Sequence, residues 1–404
     1  MNMLGKNVTM ICHNYAPFPA GGQDRQAQGV AEILARQGWN MRILTKRRSK
    51  ETKPREILNG VSVRRLFNPL IPKIEGALFL ANVFWGLFTG PRHQIIHLNQ
   101  MYREILSALL VKRLRGSPVV ICVSCGGAYG DIARLNVVLF GRQMLRLSRR
   151  ADAVISLSDQ ITEELHKAGF DPGRIVKIPN AVDTSRYVAA TAEERQQLRE
   201  QLHLPQSGPL VIFTGRLHFQ KAIDRLIRAW QAVFAAQPQA ALLILGEGQE
   251  EAMLRQLASD LKLTDSIHFL GHIEGVLPYL RASDVFVLPS LFEGVSLSLL
   301  EAMACGMPVV TTNIGGTREV IRDNLDGLLV EPDDVPGLAA RLNHVLADPV
   351  LRQRVGEQAR KRVEELYGLA HSADCYADLY ERLASHQPMQ PAGAPTQRES
   401  AYVQ

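Results

Sequence analysis

A chain of 404 residues with 46% hydrophobic and 21% charged residues has the make-up of a soluble globular protein, and it is too long for one ordinary core, so two domains are expected. No window reaches ~18 uncharged apolar residues, so no membrane-spanning helix is expected, and the start MNMLGKNVTMICHNY lacks the apolar region of a signal peptide. The net charge of +6 hides a split: residues 1–183 carry 26 Lys/Arg against 13 Asp/Glu (+13), and the remainder 20 against 27 (−7).

In chain order, the first half alternates short β-rich runs with helical periods. VTMIC (8–12), MRIL (41–44), VSVRRL (61–66), IIHL (95–98), PVVICV (118–123), AVISL (153–157) and RIVKI (174–178) read as strands. Residues 23–37 and 134–148 have three-and-four apolar spacing and read as helices. GALFLANVFWGLFTG (76–90) is too short to span a bilayer and reads as a buried helix, with membrane contact as the alternative. The second half repeats the theme. Strands are expected at 210–215, 241–246, 266–271, 284–289, 307–312 and 327–330, and helices at 221–236, 249–262, 297–305 and 333–347. The alternation predicts an α/β protein of βαβ units with parallel sheets. The expected boundary follows Pro179-Asn180-Ala181-Val182-Asp183, giving domains 1–183 and 184–365. A helix at 366–386 is expected to pack back toward the first domain, and the Pro/Gln-rich end, 387–404, reads as a disordered tail.

The five cysteines are an odd number in a long chain and fit reduced thiols in a cytoplasm. Cys122-Val-Ser-Cys125 has CxxC spacing, but no second Cys/His pair accompanies it, so two small residues near a strand end is the better reading. The basic clusters Lys46-Arg47-Arg48, Arg64-Arg65, Lys112-Arg113-Arg115 and Arg149-Arg150 leave three options. A nucleic-acid surface has no accompanying motif. An anionic membrane or a phosphorylated acceptor is the second option, and scattered solvated arginines the third.

In open parallel sheets ligands bind beyond the C-terminal ends of strands. Three features sit there. Gly21-Gly22 precedes a helix, where paired glycines admit a close ligand and the helix end favours an anion; a plain glycine turn is the alternative. In Gly215-Arg216-Leu217-His218-Phe219-Gln220-Lys221, Arg216 and Lys221 suit a diphosphate, or are two solvated cations. In EGVSLSLLEAMACG (293–306), Glu293 is expected in a loop and Glu301 within a helix that starts near Ser296 or Ser298. The amides around Val295, Ser296, Leu297, Ser298 and Leu299 would then form an anion site between two carboxylates. That arrangement fits an elongated ligand with hydroxyls at both ends and phosphate in the middle; the alternative is a surface helix residue at Glu301 and a plain loop residue at Glu293.

EGVSLSLLEAMACGMPVV resembles the E-x7-E signature of the retaining glycosyltransferases of family 4, GRLHFQK resembles that family's G-R-L-x-x-x-K segment, and IPNAVD its I-P-N-G-V-D segment. ADAVISLS (151–158) and TTNIGGTREVI (311–321) also fit, in the right order. The resemblance implies a GT-B fold, two Rossmann-like domains with parallel sheets facing a central cleft. It also implies sugar transfer from a UDP- or GDP-sugar, with retention, without a metal and with no cofactor. By match, Arg216 and Lys221 hold the donor diphosphate, Glu301 the ribose hydroxyls, Glu293 the donor sugar, and Gly22 approaches the diphosphate. His272 and Ile273 border the nucleobase. Glu293, Arg216 and Lys221 are the expected catalytic residues. Where the family often has a histidine near the donor sugar, this chain has Ser124. Ala222 stands in place of the glycine that often follows the lysine. Ser124, Gly126, Gly127 and Asp131 are expected on the acceptor side. The implied acceptor is a glycan or a polyprenyl-diphosphate-linked glycan in cell-surface polysaccharide (lipopolysaccharide) assembly, with an anionic membrane surface as partner through the basic first domain, and no nucleic acid. The expected location is cytoplasmic, peripheral on the inner face of the membrane. Alternatives are a glycosyl phosphorylase, a nucleotide-sugar epimerase or a non-catalytic sugar-nucleotide-binding protein.

Overall fold

The computed structural model describes residues 6–17, 21–49, 51–67, 75–127 and 130–385. The expected tail at 387–404 lies outside them. The chain divides into two compact units: residues 1–180 with 369–404, and residues 181–368. The first division falls three residues before the expected boundary at 183, and the second three residues after 365.

Unit 1 holds eight strands: β1 (Asn7–Ile11), β2 (Asn40–Lys46), β3 (Arg55–Leu58), β4 (Val61–Leu66), β5 (Ile95–Leu98), β6 (Val119–Val123), β7 (Ala153–Ser156) and β8 (Ile175–Lys177). They form one sheet in the order β3-β4-β2-β1-β5-β6-β7-β8. All described pairings are parallel except β3 with β4. β5, β6 and β7 are buried at every position, because helices cover both faces of a parallel sheet. The antiparallel β3 is absent from the expected strands. Its sequence, REIL, alternates between exposed and half-buried at the sheet edge, so it lacks an apolar run. Its turn, Asn59-Gly60, with both residues at positive φ, is the usual two-residue hairpin.

Six of its helices come before unit 2 in the chain: α1 (Gly22–Arg36), α2 (Glu75–Phe88), α3 (Ile105–Arg115), α4 (Asp131–Val137), α5 (Gly141–Ser148) and α6 (Asp159–Lys167). The single helix expected over 134–148 is two helices. Val138 is extended and Phe140 left-handed at φ 61°, which breaks the run although its apolar spacing continues. Gly141 then starts α5 so close to α4 that a Cβ there would lie 1.7 Å from the Leu135 carbonyl oxygen.

Unit 2 holds β9 (Leu210–Thr214), β10 (Ala241–Leu245), β11 (Ile267–Gly271), β12 (Val285–Leu288), β13 (Val309–Thr312) and β14 (Leu328–Val330), all parallel in the order β11-β10-β9-β12-β13-β14. Its helices are α7 (Ala192–Gln201), α8 (Ile223–Ala236), α9 (Glu251–Asp260), α10 (Leu277–Ala282), α11 (Leu297–Ala304), α12 (Gly315–Val320), α13 (Val335–Ala347) and α14 (Pro349–Leu366). The last helix, α15 (Leu369–Ala384), belongs to unit 1, where it packs on α1 and β5. Its Tyr376, Leu379, Tyr380 and Leu383 join the unit 1 core. His97 of β5 sits fully buried beneath it, with Nδ1 2.6 Å from the Tyr380 hydroxyl. Burial pushes the His97 pKa down to about 3.

Candidate active site

In unit 2 the strand order reverses between β9, which leads toward β10 and β11, and β12, which leads toward β13 and β14. At such a switch point the loops diverge and leave room for a ligand. Lys221 comes from the loop after β9 and Glu293 from the loop after β12, and their side chains form an ion pair that is nearly buried on both sides. Ser290 donates a 2.7 Å hydrogen bond to the same Glu293 oxygen. The two loops are laced by backbone as well: Leu291 N–H donates to the Gln220 carbonyl at 2.8 Å, and the Gln220 amide donates to the Phe292 carbonyl at 2.8 Å. Arg216 projects from the same β9 loop and is exposed.

The rim is made of close-packed backbone turns. Gly215 N–H bonds the Leu245 carbonyl, Gly246 N–H the Gly271 carbonyl, and Leu217 N–H the Glu247 carbonyl. Gly246 stands at φ 140°, and a Cβ there would lie 1.8 Å from the Gly215 oxygen, so only glycine fits. On the other side, a Cβ on Gly316 would lie 1.7 Å from the Gly294 oxygen, so α12 presses directly on the Glu293 loop. Ala222, where a glycine was noted as usual, is left-handed at φ 48°.

α11 begins with Ser296 at its N-cap position, but that hydroxyl makes no cap hydrogen bond and lies 3.1 Å from the Ser298 hydroxyl. The expected serine cap is thus a serine pair. The first amides of α11, at Leu297, Ser298 and Leu299, stay uncapped by it, beside the buried Val295 and within one loop of Glu293. Glu301 is buried on α11 and accepts a 2.9 Å hydrogen bond from the Tyr187 hydroxyl. Burial, with the Glu301 charge second, raises the neighbouring Cys305 thiol to about 12. His272 is exposed and Ile273 half-buried on the loop after β11, two strands along the rim from the Lys221–Glu293 pair. The structure therefore gathers Lys221, Glu293, Ser296 and Ser298 at the switch point and leaves His272 and Ile273 at its edge.

In unit 1 the switch point lies between β1 and β5. Gly21 caps α1 and Gly22 is its first residue, with no side-chain cap. Beside it stands a pair absent from the sequence reading. His13, just after β1, has Nδ1 2.9 Å from the Gln100 amide oxygen and Nε2 3.3 Å from the Glu104 carboxylate. Burial lowers the His13 pKa, but the bond and charge of Glu104 outweigh it and the net shift is upward. Burial likewise acts to raise Glu104, and the His13 contact overrides it and lowers it. A strand-end position was the available signal for His13, whereas Glu104 has no spacing that links it to His13.

Ser124, after β6, is held through Asp131. That carboxylate accepts from the Ser124 N–H at 2.8 Å, the Ser124 hydroxyl at 3.1 Å and the Cys125 N–H at 3.3 Å. It also pairs with Arg134, which donates to the Tyr102 hydroxyl at 2.6 Å. Asp131 is buried, so it shapes the loop from within. Gly127 N–H donates to Glu164 at 2.7 Å, and Gly126 lies against the same carboxylate. All five cysteines are free, and burial raises the Cys122 thiol to about 12, so it stays protonated near neutrality. Among the described residues no cluster of three His, Cys, Asp or Glu is placed to hold a metal, and no helix is long and apolar enough to cross a membrane.

The comparisons with known proteins agree with this architecture. The family model for glycosyl transferases group 1 matches residues 194–362, and that for glycosyltransferase family 4 matches residues 20–186. An uncharacterized glycosyltransferase of Methanocaldococcus jannaschii is 27% identical over 93% of this chain and 97% of its own length. The Escherichia coli UDP-Gal:alpha-D-GlcNAc-diphosphoundecaprenol alpha-1,3-galactosyltransferase is 27% identical over 89% of this chain and 93% of its own. The sucrose-phosphate synthase of Thermosynechococcus elongatus has the same fold, with a TM-score of 0.81, 24% identity, and coverage of 94% of this chain and 100% of that one. Together the two family models span most of both units, and the chain is a glycosyltransferase of family 4 built on the GT-B fold.

Proposed function

We propose that the protein transfers a sugar from a UDP- or GDP-sugar, with retention and without a metal, to a lipid-linked glycan acceptor in cell-surface polysaccharide assembly, working from the cytoplasmic face of an anionic membrane. The observation that carries the donor assignment is the Lys221–Glu293 pair at the unit 2 switch point, beside the uncapped amides of α11. A departing nucleoside diphosphate gains negative charge. Lys221, Arg216 and the first amides of α11 are the donors on hand to meet such charge, which is the task a divalent cation performs elsewhere. Glu293, with one oxygen on Lys221 and Ser290, has acceptor capacity for a sugar hydroxyl. Glu301, oriented by Tyr187, is a buried carboxylate that would accept from ribose hydroxyls. The galactosyltransferase relative, named for an alpha-D-GlcNAc-diphosphoundecaprenol acceptor, supports the lipid-linked acceptor.

The test is a thermal-shift screen over nucleoside diphosphates and nucleotide sugars, followed by product analysis with a labelled sugar. A ligand at a hundred times its Kd adds roughly 2.7 kcal/mol to stability. Transfer should persist in excess chelator, and proton NMR of the product should show the donor's anomeric configuration. No shift with any nucleotide, or an inverted product, overturns the reading.

A further inference from the structure

The unit 1 sheet is covered by helices in a way its topology dictates. Right-handed crossovers put α1, which leads from β1 back to β2, on one face. They put α2, α3 and the α4–α5 pair, which lead toward β5, β6 and β7, on the other. On that second face α2 packs on α3 and α3 on α5, so their outer sides share one plane. Twelve of the sixteen large hydrophobic side chains left exposed among the described residues belong to unit 1, and ten of those fall between Leu78 and Phe140, on this layer.

Each element contributes. α2 exposes Leu78, Trp85 and Phe88, with Phe84 stacked on Phe88. α3 exposes Leu106, Leu110 and Leu114, one stripe at four-residue spacing on the side turned away from the core. The turn that breaks α4 from α5 is apolar at four consecutive positions, with Val137 83% and Leu139 81% exposed. A soluble surface seldom gathers such a patch without a partner.

The charge around it names the partner. Residues 75–150, from the start of α2, contain ten Lys/Arg and three carboxylates: Glu104 and Asp131 are buried, and Glu75 is paired with Lys46. Exposed Arg113 lies on the α3 stripe, and exposed Arg142, Arg146, Arg149 and Arg150 follow the apolar turn. A second copy of this chain would set these cations against themselves. Nucleic acid would match the cations and leave the leucines unmatched. A bilayer rich in anionic lipid matches both, taking apolar side chains below its headgroups and guanidinium groups among its phosphates.

We propose that this α2–α3–α5 plane is the membrane-docking surface, with Val137–Phe140 as the inserting wedge and Arg142 and Arg146 as its headgroup contacts. This deepens the lipid-linked-acceptor reading above and rests on it for its purpose. α4, seven residues and so about 10 Å long, joins the Ser124–Asp131 corner at one end to the wedge at the other, which brings the bilayer within reach of a lipid diphosphate at that corner.

The experiment is vesicle co-sedimentation of the full chain with equal parts phosphatidylglycerol and phosphatidylcholine, against phosphatidylcholine alone. The parent protein should be retained only by the anionic vesicles, and less as salt rises. Val137→Ser with Leu139→Ser should weaken retention at least ~10-fold, and Arg142→Glu with Arg146→Glu about 30-fold or more. Both variants alter exposed positions outside the core, so circular dichroism and the thermal shift with nucleoside diphosphate should match the parent. A nucleotide shift with no vesicle retention overturns the docking surface and leaves the donor reading standing; retention without any nucleotide shift does the reverse. Undiminished retention in both variants overturns the assignment, as does a concentration-dependent dimer in sedimentation velocity that the serine variant abolishes.

Discussion

Lys221 and Glu293 share one nearly buried contact, so neither can be altered without stranding the other's charge. Glu293→Gln or Lys221→Ala should cut turnover at least ~10²-fold, the scale of one transition-state contact, and should also lower stability by about 3 kcal/mol. The double variant should regain most of that stability while turnover stays low, a separation that urea melts and steady-state assays of the four proteins would show. Additive stability losses would mean the two charges are not coupled. The His13–Glu104 pair predicts a pH signature. The raised histidine contributes stability in full below 6.5 and loses it as pH climbs through its raised value. The depressed carboxylate contributes above 4.5 and loses it as pH falls through its lowered value. The stability gap between the parent and Glu104→Gln should therefore be widest between 4.5 and 6.5, and a gap that is flat across that range would remove the pair from the account. At this scale the sequence was readable where chemistry followed a strand directly: Lys221 and Glu293 each sit in the loop just after one, as the ligand-at-strand-ends rule requires. Glu104 and Tyr187 were not readable, because their partners lie on other elements far along the chain and no spacing encodes them.

Among the elements, the loop after β12 is held by glycine contacts that leave no room for a side chain. Gly316→Ala would push a methyl into the Gly294 carbonyl, with backbone on both sides and nothing flexible to yield. A loss of about 1–3 kcal/mol in melting experiments is expected, with turnover falling further than stability because the Glu293 loop moves first. A variant with parental turnover and melting temperature would show that α12 can slide. The parallel strands were legible because burial on both faces writes them as continuous runs of Val, Ile and Leu. The edge strand β3 was hidden by its polar alternation, although Asn59-Gly60 marked its turn. The α4–α5 break was hidden for the opposite reason: Val137 to Phe140 keeps a helical apolar spacing that the backbone does not follow, since those side chains face outward.

Over the whole molecule, α15 ties the end of the described chain to the first unit, and His97 reports on that tie. Its folded pKa of about 3 lies far below the 6.5 of an exposed imidazole, so the unfolded state binds the extra proton first. Stability should decline by about 1.4 kcal/mol per pH unit on acidification below about 6.5, down toward 3. His97→Gln should flatten that decline in acid titrations monitored by circular dichroism, and an unchanged slope would assign the acid sensitivity elsewhere. The same helix bears on how the polypeptide is made. Unit 2 is continuous in sequence, so every residue it needs has been added to the chain by Gly368. Unit 1 begins first, yet Tyr376, Tyr380 and Leu383 of its core emerge after all of unit 2. Translation thus reverses the order of completion: all of the second unit is made while the first still lacks α15, and the β5 and α1 surface is covered only once that helix has followed.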